Sequence, residues 1–531
     1  MSQLIAIIEK LSKSSPDAVF TPKSLFDVES ENIFDYLHIE TEIEKKYKTL
    51  LEENKNSKSI IFLSGSSGDG KSAIIGKNQI HYNAHYDVHI DATHSFRPDQ
   101  TAVEALDEVF TRFKEGSKSL VIGINMGVLL NYTREGSEKH DDIKSKIKLY
   151  DTEPSANNDI KFINFEDYPK FEMQEGNITS VFITSLLEKI SILSEENPFF
   201  NAYQNDLKQN IRYIDHQNFY LLGLKPIQNR IIELLVTVHL KYDQFLTTRA
   251  ILDLVYVLLR DPRLLIDQLF EHDSNSILEN TQKEDPILFR TQQLDTFILE
   301  RSNDKQDKEL EDFIHKFNEQ SDFQILQKND VHTLVRTFYL FREYDCCNNY
   351  HRRFDKDFLD SSTLEYVKLI HASQNYSLDT KPLLQSFYKE IKKAIFSYAN
   401  KHNPSLSSQE LFQFDIVNGY GIATPLEVSA AWSNIENNEK HNINNFKCFL
   451  NVDEHMIEPF TITLNMYKLI LSINNGYRPN KHDRNTIIIF DEVLGKIAAK
   501  LKTTRKLFFV KDNHKYEFRN STDEIEVHIH D

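Results

Sequence analysis

In the first third of this chain, short and nearly unbroken apolar runs alternate with amphipathic stretches. Leu4, Ile7, Ile8 and Leu11 recur at helical spacing, and Ile43, Tyr47, Leu50 and Leu51 share one face across residues 42–53. Residues 59–64, Ser-Ile-Ile-Phe-Leu-Ser, predict a buried strand. A helix follows from Ser72 to about Tyr82, then a strand over 86–91. The next helix starts at Asp99 or Gln100 and runs to about Lys114, with Val103, Leu106, Val109 and Phe110 inward. Residues 119–125 are an apolar run expected of a strand buried on both faces, 126–132 predict a short helix, and 160–165 a further strand. Strands alternating with helical connections predict an α/β domain: a parallel sheet with helices on both faces.

The pattern then changes. Residues 178–376 read as almost wholly helical. Residues 227–242 are apolar on one face, 245–254 open another helix with Thr248 as its cap, and 330–344 carry Leu334, Phe338 and Phe341 inward. The polar stretch 273–286 reads as a loop. The last part mixes a helix over 383–399, strands over 446–452 and 460–463, and a helix over 466–473 that ends at Asn474-Asn475-Gly476. Terminal strands of a small sheet are expected at 507–510, 516–518 and 525–529. The expected organisation is an N-terminal helical segment (1–56), the α/β domain (57–177), a mostly helical, lid-like region (178–376) and a small mixed α+β domain (377–531). No internal repeat or low-complexity tract interrupts it.

Composition narrows the class. At 531 residues the chain exceeds one hydrophobic core. Glycine and proline are scarce, 14 each, which favours helices over a large all-β architecture. The formal net charge of −18 excludes a general coating of DNA or membrane, so any nucleic-acid contact is local or comes through a more basic partner. Cys346, Cys347 and Cys448 form neither a disulfide framework nor a metal-binding spacing, as expected in a reducing cytoplasm. The first residues lack a basic leader followed by a long apolar run. The apolar stretches near 231–240 and 250–259 carry charges and are too short to span a bilayer, so no membrane association is expected.

The strongest chemistry lies just after the first apolar strand. Gly65-Ser66-Ser67-Gly68-Asp69-Gly70-Lys71-Ser72, opening onto Ala73, matches G-x-x-x-x-G-K-[ST] between a strand and a helix. Glycines at these places let successive backbone N–H groups turn inward to phosphate oxygens, and the new helix adds its positive end. Lys71 is expected to reach the outer phosphates and Ser72 to hold a metal, which implies ATP and Mg²⁺. A hydrolase of this kind needs a second carboxylate at a neighbouring strand end. Asp91 and Asp491-Glu492 compete for that place. The stretch around Asp491 reads as a helix opened by Asn485-Thr486, so Asp91 is preferred as metal ligand and catalytic carboxylate. Asp91 is followed by Ala92-Thr93-His94 where ATPases commonly carry a glutamate base, which leaves His94 as a polar substitute or a surface residue. Asn125 ends the next strand and is either a γ-phosphate sensor or a turn residue. Arg249 reads as a lid arginine facing phosphates or as a solvated side chain, and Arg97 and Arg134 are weaker candidates. The basic, aromatic turn 476–481 is read first as structural.

Four stretches then line up with a known family. They are the loop itself, the run His89-Ile90-Asp91-Ala92-Thr93-His94-Ser95-Phe96, the run Val121-Ile122-Gly123-Ile124-Asn125-Met126-Gly127, and Gly476-Tyr477-Arg478-Pro479-Asn480. Together they resemble the DNA phosphorothioation-dependent restriction proteins of the DptF family. The resemblance implies a bacterial defence role, in which a nucleotide-driven subunit acts with DptG-like and DptH-like partners on DNA that lacks a backbone sulfur mark. The expected function is an ATPase subunit acting on DNA within a complex. The alternative is an ATP-binding switch or scaffold with little turnover. A small-molecule kinase is disfavoured, because the helical region is large for a simple lid.

Overall fold

The structure, a computed structural model, describes residues 2–14, 33–92, 97, 99–152, 159–174, 176–271, 275–438, 443–453, 455–501, 506–511, 514–520 and 525–530. They fall into two compact units. The first comprises Met1–Glu172, Ser180–Val238 and Gln244–Leu359; the second comprises Met173–Thr179, His239–Asp243 and Asp360–Asp531.

The first unit opens with α1 (Gln3–Ile8), α2 (Ile33–Leu37) and α3 (Glu42–Asn54). The α/β part follows as β1 (Ile60–Ser64), α4 (Lys71–Tyr82), β2 (Tyr86–His89), α5 (Ala102–Glu115), β3 (Ser119–Ile124), α6 (Met126–Glu135), α7 (Asp141–Thr152) and β4 (Ile160–Asn164). The four strands form one parallel sheet in the order β2-β3-β1-β4. Every residue of β1 and β3 is buried, as their unbroken apolar runs require. Alternate side chains feed two cores. Ile60, Phe62, Leu120, Ile122 and Ile124 face α5, α6 and α7, and the Phe62 ring stacks on Phe162 at 5.0 Å. Ile61, Leu63, Val121 and Ile163 face α3 and α4. This is the expected parallel sheet with helices on both faces.

Two local devices hold the layers in register. Glu44 of α3 is fully buried beside α4. It contacts His38 at 3.0 Å and Lys48 at 3.2 Å and accepts a 3.3 Å hydrogen bond from the Asn78 amide. Burial alone would raise its carboxyl above the ordinary value of 4.5, but the hydrogen bonds from His38, Asn78 and Lys48 pull it down to about 2. Gly123 lets the end of β2 approach β3. A Cβ there would lie 2.2 Å from the Ile90 carbonyl oxygen and 3.0 Å from Ile75 Cδ1.

Beyond β4 come a short hairpin, β5 (Glu172–Gln174) and β6 (Asn177–Thr179), and then the helices α8 (Val181–Ser191), α9 (Pro198–Lys208), α10 (Ile214–Leu222), α11 (Lys225–Tyr242) and α12 (Thr248–Arg260). They continue as α13 (Leu265–Gln268), α14 (Ser276–Thr281), α15 (Gln292–Ser302), α16 (Lys308–Ser321) and α17 (Val331–Phe341). Buried Asp206 of α9 secures the start of α1, accepting from Ser2 Oγ at 2.6 Å and from the N–H groups of Gln3 and Leu4. Two expectations need correction. The cap of α12 is Thr247, whose hydroxyl accepts from Ala250 N, and Thr248 is the first helical residue. The stretch expected as a loop over 273–286 contains α14, with Ile277 and Leu278 buried; Asp273 itself lies outside the described residues. Its polar composition reflects caps, because Asn275 accepts from Ile277 N and Leu278 N, and Asp285 accepts from Ile287 N.

The second unit holds α18 (Ser361–Gln374), α19 (Lys381–Ala399), β7 (Leu411–Val417), β8 (Tyr420–Pro425), β9 (Val428–Ala430), α20 (Trp432–Glu436), β10 (Asn445–Cys448), β11 (Leu450–Val452), β12 (His455–Met456), β13 (Phe460–Thr463), α21 (Leu464–Asn474), α22 (Arg484–Lys500), β14 (Lys506–Lys511), β15 (His514–Asn520) and β16 (Ile525–His530). The terminal strands join β8 and β7 in an antiparallel sheet ordered β16-β15-β14-β8-β7. The single strand expected over 446–452 is two strands in different sheets. The break is at Phe449, whose N–H donates to the Tyr388 hydroxyl at 3.1 Å instead of to a strand. Among the described residues, no helix is long and apolar enough to cross a membrane.

Two outcomes follow for the first unit. Gly123→Ala should destabilise by about 2–3 kcal/mol, because the added carbon overpacks against backbone; a loss in urea denaturation below about 0.5 kcal/mol would contradict the strand contact. The stability contributed by Glu44 should be complete above pH 4.5 and be lost as pH falls towards about 2. Glu44→Gln should therefore flatten the acid limb of the urea midpoint against pH.

Candidate phosphate-binding site

β1 and β3 run side by side to Ser64 and Ile124, and Gly65 N donates to the Ile124 carbonyl at 3.2 Å as the chain leaves the sheet. The turn that follows needs glycine at two places. Gly68 has φ +85 and Gly70 has φ +108, both in the left-handed region. Gly70 is also the N-cap residue of α4 and has no side chain to satisfy the first-turn N–H groups, so those donors stay directed at the loop. Ser72 is half-buried in the first turn of α4, while Ser67 and Ala73 are exposed.

Lys71 is only 8% exposed. Its Nζ lies inside the loop, donating to the carbonyls of Gly65 at 3.0 Å and Ser66 at 2.8 Å. Burial pushes its ammonium below the ordinary lysine value, and the carboxylates of Asp69 and Asp91 pull it the other way. Asp69 is more than a loop residue. It is 5% exposed, and its Oδ2 accepts from Ser66 N at 2.7 Å. Its other oxygen lies 3.6 Å from the Lys170 ammonium. Gly65 is crowded on the same side, since a Cβ there would come within 2.9 Å of the Phe165 ring and 3.0 Å of Asp69 Oδ2.

The sheet order places β3 between the loop strand and β2. His89 pairs with Ile122, and Ala92 N donates to the Gly123 carbonyl at 2.9 Å. Asp91 therefore comes to the same sheet edge as Gly65 and Asn125. Asn125 caps α6, its Oδ1 accepting from Gly127 N at 2.8 Å. The cap uses the acceptor end of the carboxamide and leaves the donor end out of the turn. The turn expectation thus describes this residue's local role, and that role is compatible with a second one.

The remaining candidates separate. His94 lies outside the described residues. Arg97 and Arg134 are exposed. The backbone of Arg249 touches the loop, its N–H donating to the Gly68 carbonyl at 3.1 Å, but its guanidinium donates to the Lys13 carbonyl at 2.9 Å. Asp491 is inside α22 of the second unit, as the helical reading required. Sequence reasoning missed three side chains on the loop: Lys170, Thr247 and Thr248. Thr248 Oγ1 donates to the Asp69 carbonyl at 3.1 Å, and Thr247 Oγ1 lies 3.1 Å from where a Gly68 Cβ would be. Lys170 sits a few residues past a strand of the same parallel sheet, and that position is the only signal that pointed to it.

Among the described residues, no group of three or more His, Cys, Asp or Glu side chains gathers as a metal centre. One hydroxyl and one carboxylate, Ser72 and Asp91, suit a Mg²⁺ that keeps waters and phosphate oxygens as its other ligands. Fold and site together define a parallel α/β protein whose central strand feeds a glycine-rich loop lined by a lysine. Comparison with protein families, curated proteins and solved structures finds no match.

The cap gives a test of Asn125 that is independent of any ligand. Asn125→Ala should lower thermal stability by about 1 kcal/mol, whereas Asn125→Asp, which keeps the acceptor, should lose little.

Proposed function

We propose that this chain binds ATP with Mg²⁺ at the 65–72 loop and hydrolyses it, as the ATPase subunit of a DNA restriction complex of the phosphorothioation-dependent type. The observation that carries the ATP reading is the loop: two glycines at positive φ between a fully buried central strand and a helix N-terminus, with a buried lysine inside. The backbone N–H groups from Gly68 to Ala73 and the Lys71 ammonium would hold the phosphates. Ser72 and Asp91 would hold the metal, which supplies charge to the phosphoryl group when bound. Asn125 would orient the attacking water with its free donor end, as a glutamine does in small GTPases. His94, three residues past Asp91 in sequence, would be the polar substitute for the usual glutamate base. A catalytic part for Arg249 requires its guanidinium to leave the Lys13 carbonyl.

The restriction setting rests on the resemblance in the four quoted stretches. It brings DptG-like and DptH-like subunits as partners in the cytoplasm, and DNA as the target of the whole complex. The net charge of −18 favours DNA contact through those partners. A second reading, an ATP-binding switch with little turnover, is favoured by one observation. The residue after Asp91 is Ala92, fully buried, where a glutamate base would be expected.

Equilibrium binding of a fluorescent ATP analogue in Mg²⁺ tests the first statement. Lys71→Ala should weaken binding by about 10-fold or more, the loss of one charge-assisted contact. Wild-type protein that fails to bind at millimolar nucleotide would sink the ATP reading. Turnover, measured with and without DNA and the partner subunits, separates motor from switch. Asp91→Asn and Asn125→Asp should abolish or strongly reduce it, while Asp491→Asn should not; loss in Asp491→Asn alone would reverse the carboxylate assignment.

A further inference from the structure

We propose that Lys170 is a positioning residue of the phosphate loop: its ammonium neutralises the Asp69 carboxylate inside the loop, so that the loop offers net positive charge to a polyphosphate. The inference rests on the nucleotide reading of the same loop.

Asp69 stands immediately before Gly70-Lys71 and is turned inward. Its Oδ2 takes the Ser66 N–H at 2.7 Å and so shapes the loop from within. The same carboxylate is a liability, because a buried negative charge beside a phosphate site repels the ligand that the site is built for. Lys71 alone only cancels it. Lys170 supplies the second positive charge, 3.6 Å from Asp69 Oδ1, with its side chain 17% exposed and therefore poorly screened. The residue is delivered by the segment that follows β4. There a turn of 3₁₀ helix, Phe165–Asp167, lays the Phe165 ring against Gly65 at the start of the loop. Burial lowers the Lys170 ammonium below its ordinary value, against a smaller opposing pull from the Asp69 charge.

The test is a double-mutant cycle on ATP affinity in the full chain, using Lys170→Met, Asp69→Asn and the double variant, each first checked by thermal unfolding. Lys170→Met should weaken ATP binding by about 10-fold and ADP binding by less, because the loss scales with ligand charge. Asp69→Asn keeps an acceptor for Ser66 N and, with the Lys170 charge no longer offset, should bind ATP a few-fold tighter than wild type. The double variant should recover to within about threefold of wild type. A merely structural role predicts the opposite, a double variant no better than Lys170→Met. If Lys170→Met does not fold, Asp69→Asn still decides, since a marked loss of affinity there contradicts the inference. Wild-type binding with an indifferent Lys170→Met would remove the inference alone. Absence of ATP binding by wild type would remove the nucleotide reading and this inference with it.

Discussion

Parallel pairing of β1 with β3 governs where the candidate side chains of the first unit come to lie. Both strands are buried along their whole length, so neither can slip by one residue without turning one apolar face towards the wrong core. With that register fixed, Ser64 and Ile124 end together, and the loop, Asn125 and Asp91 share one edge of the sheet. Gly123 is the steric condition for the third strand to join, because the Ile90 carbonyl occupies the space of a side chain there. Ligand sites in open parallel sheets gather at the carboxyl ends of strands, and this edge has that character.

Around the loop, polar chemistry is confined and matched. Asp69, Lys71 and Lys170 are all shielded from water, and each has a named partner within the loop or beside it. The helical part of the first unit is tied to the same loop from the other side, through Thr248 Oγ1 on the Asp69 carbonyl and Arg249 N on the Gly68 carbonyl. A displacement of the loop therefore cannot occur without disturbing the start of α12. Asp253 in α12 in turn accepts from Lys13 N at 3.1 Å and from the Asn275 amide at 3.3 Å, which extends the connection to the N-terminal segment and α14.

The elements were legible where burial is total or periodicity is long. The apolar runs of β1 and β3, and the one-sided pattern of α3, α5 and α17, leave little choice of structure. Misreadings arose where caps imitate loops. Asn275 and Asp285 are caps, and the burial of Ile277 and Leu278 distinguishes that segment from a true loop. The break at Phe449 was illegible for a different reason, since its cause is the Tyr388 hydroxyl, a residue far away in sequence.

The sequence by itself determined the loop: glycines where φ must be positive, a lysine and a serine after them, and an apolar strand before. Those are local requirements, and local residue types answer them. It also read the segment around Asp491 as a helix, because Asn485-Thr486 is a helix start. Tertiary structure alone decided the company that the loop keeps. The strand inserted between β1 and β2, Lys170 beside Asp69, Thr247 beside Gly68 and Thr248 on the Asp69 carbonyl all depend on contacts between distant segments. No local pattern encodes them, since pairing between distant segments is chosen by the cores as a whole.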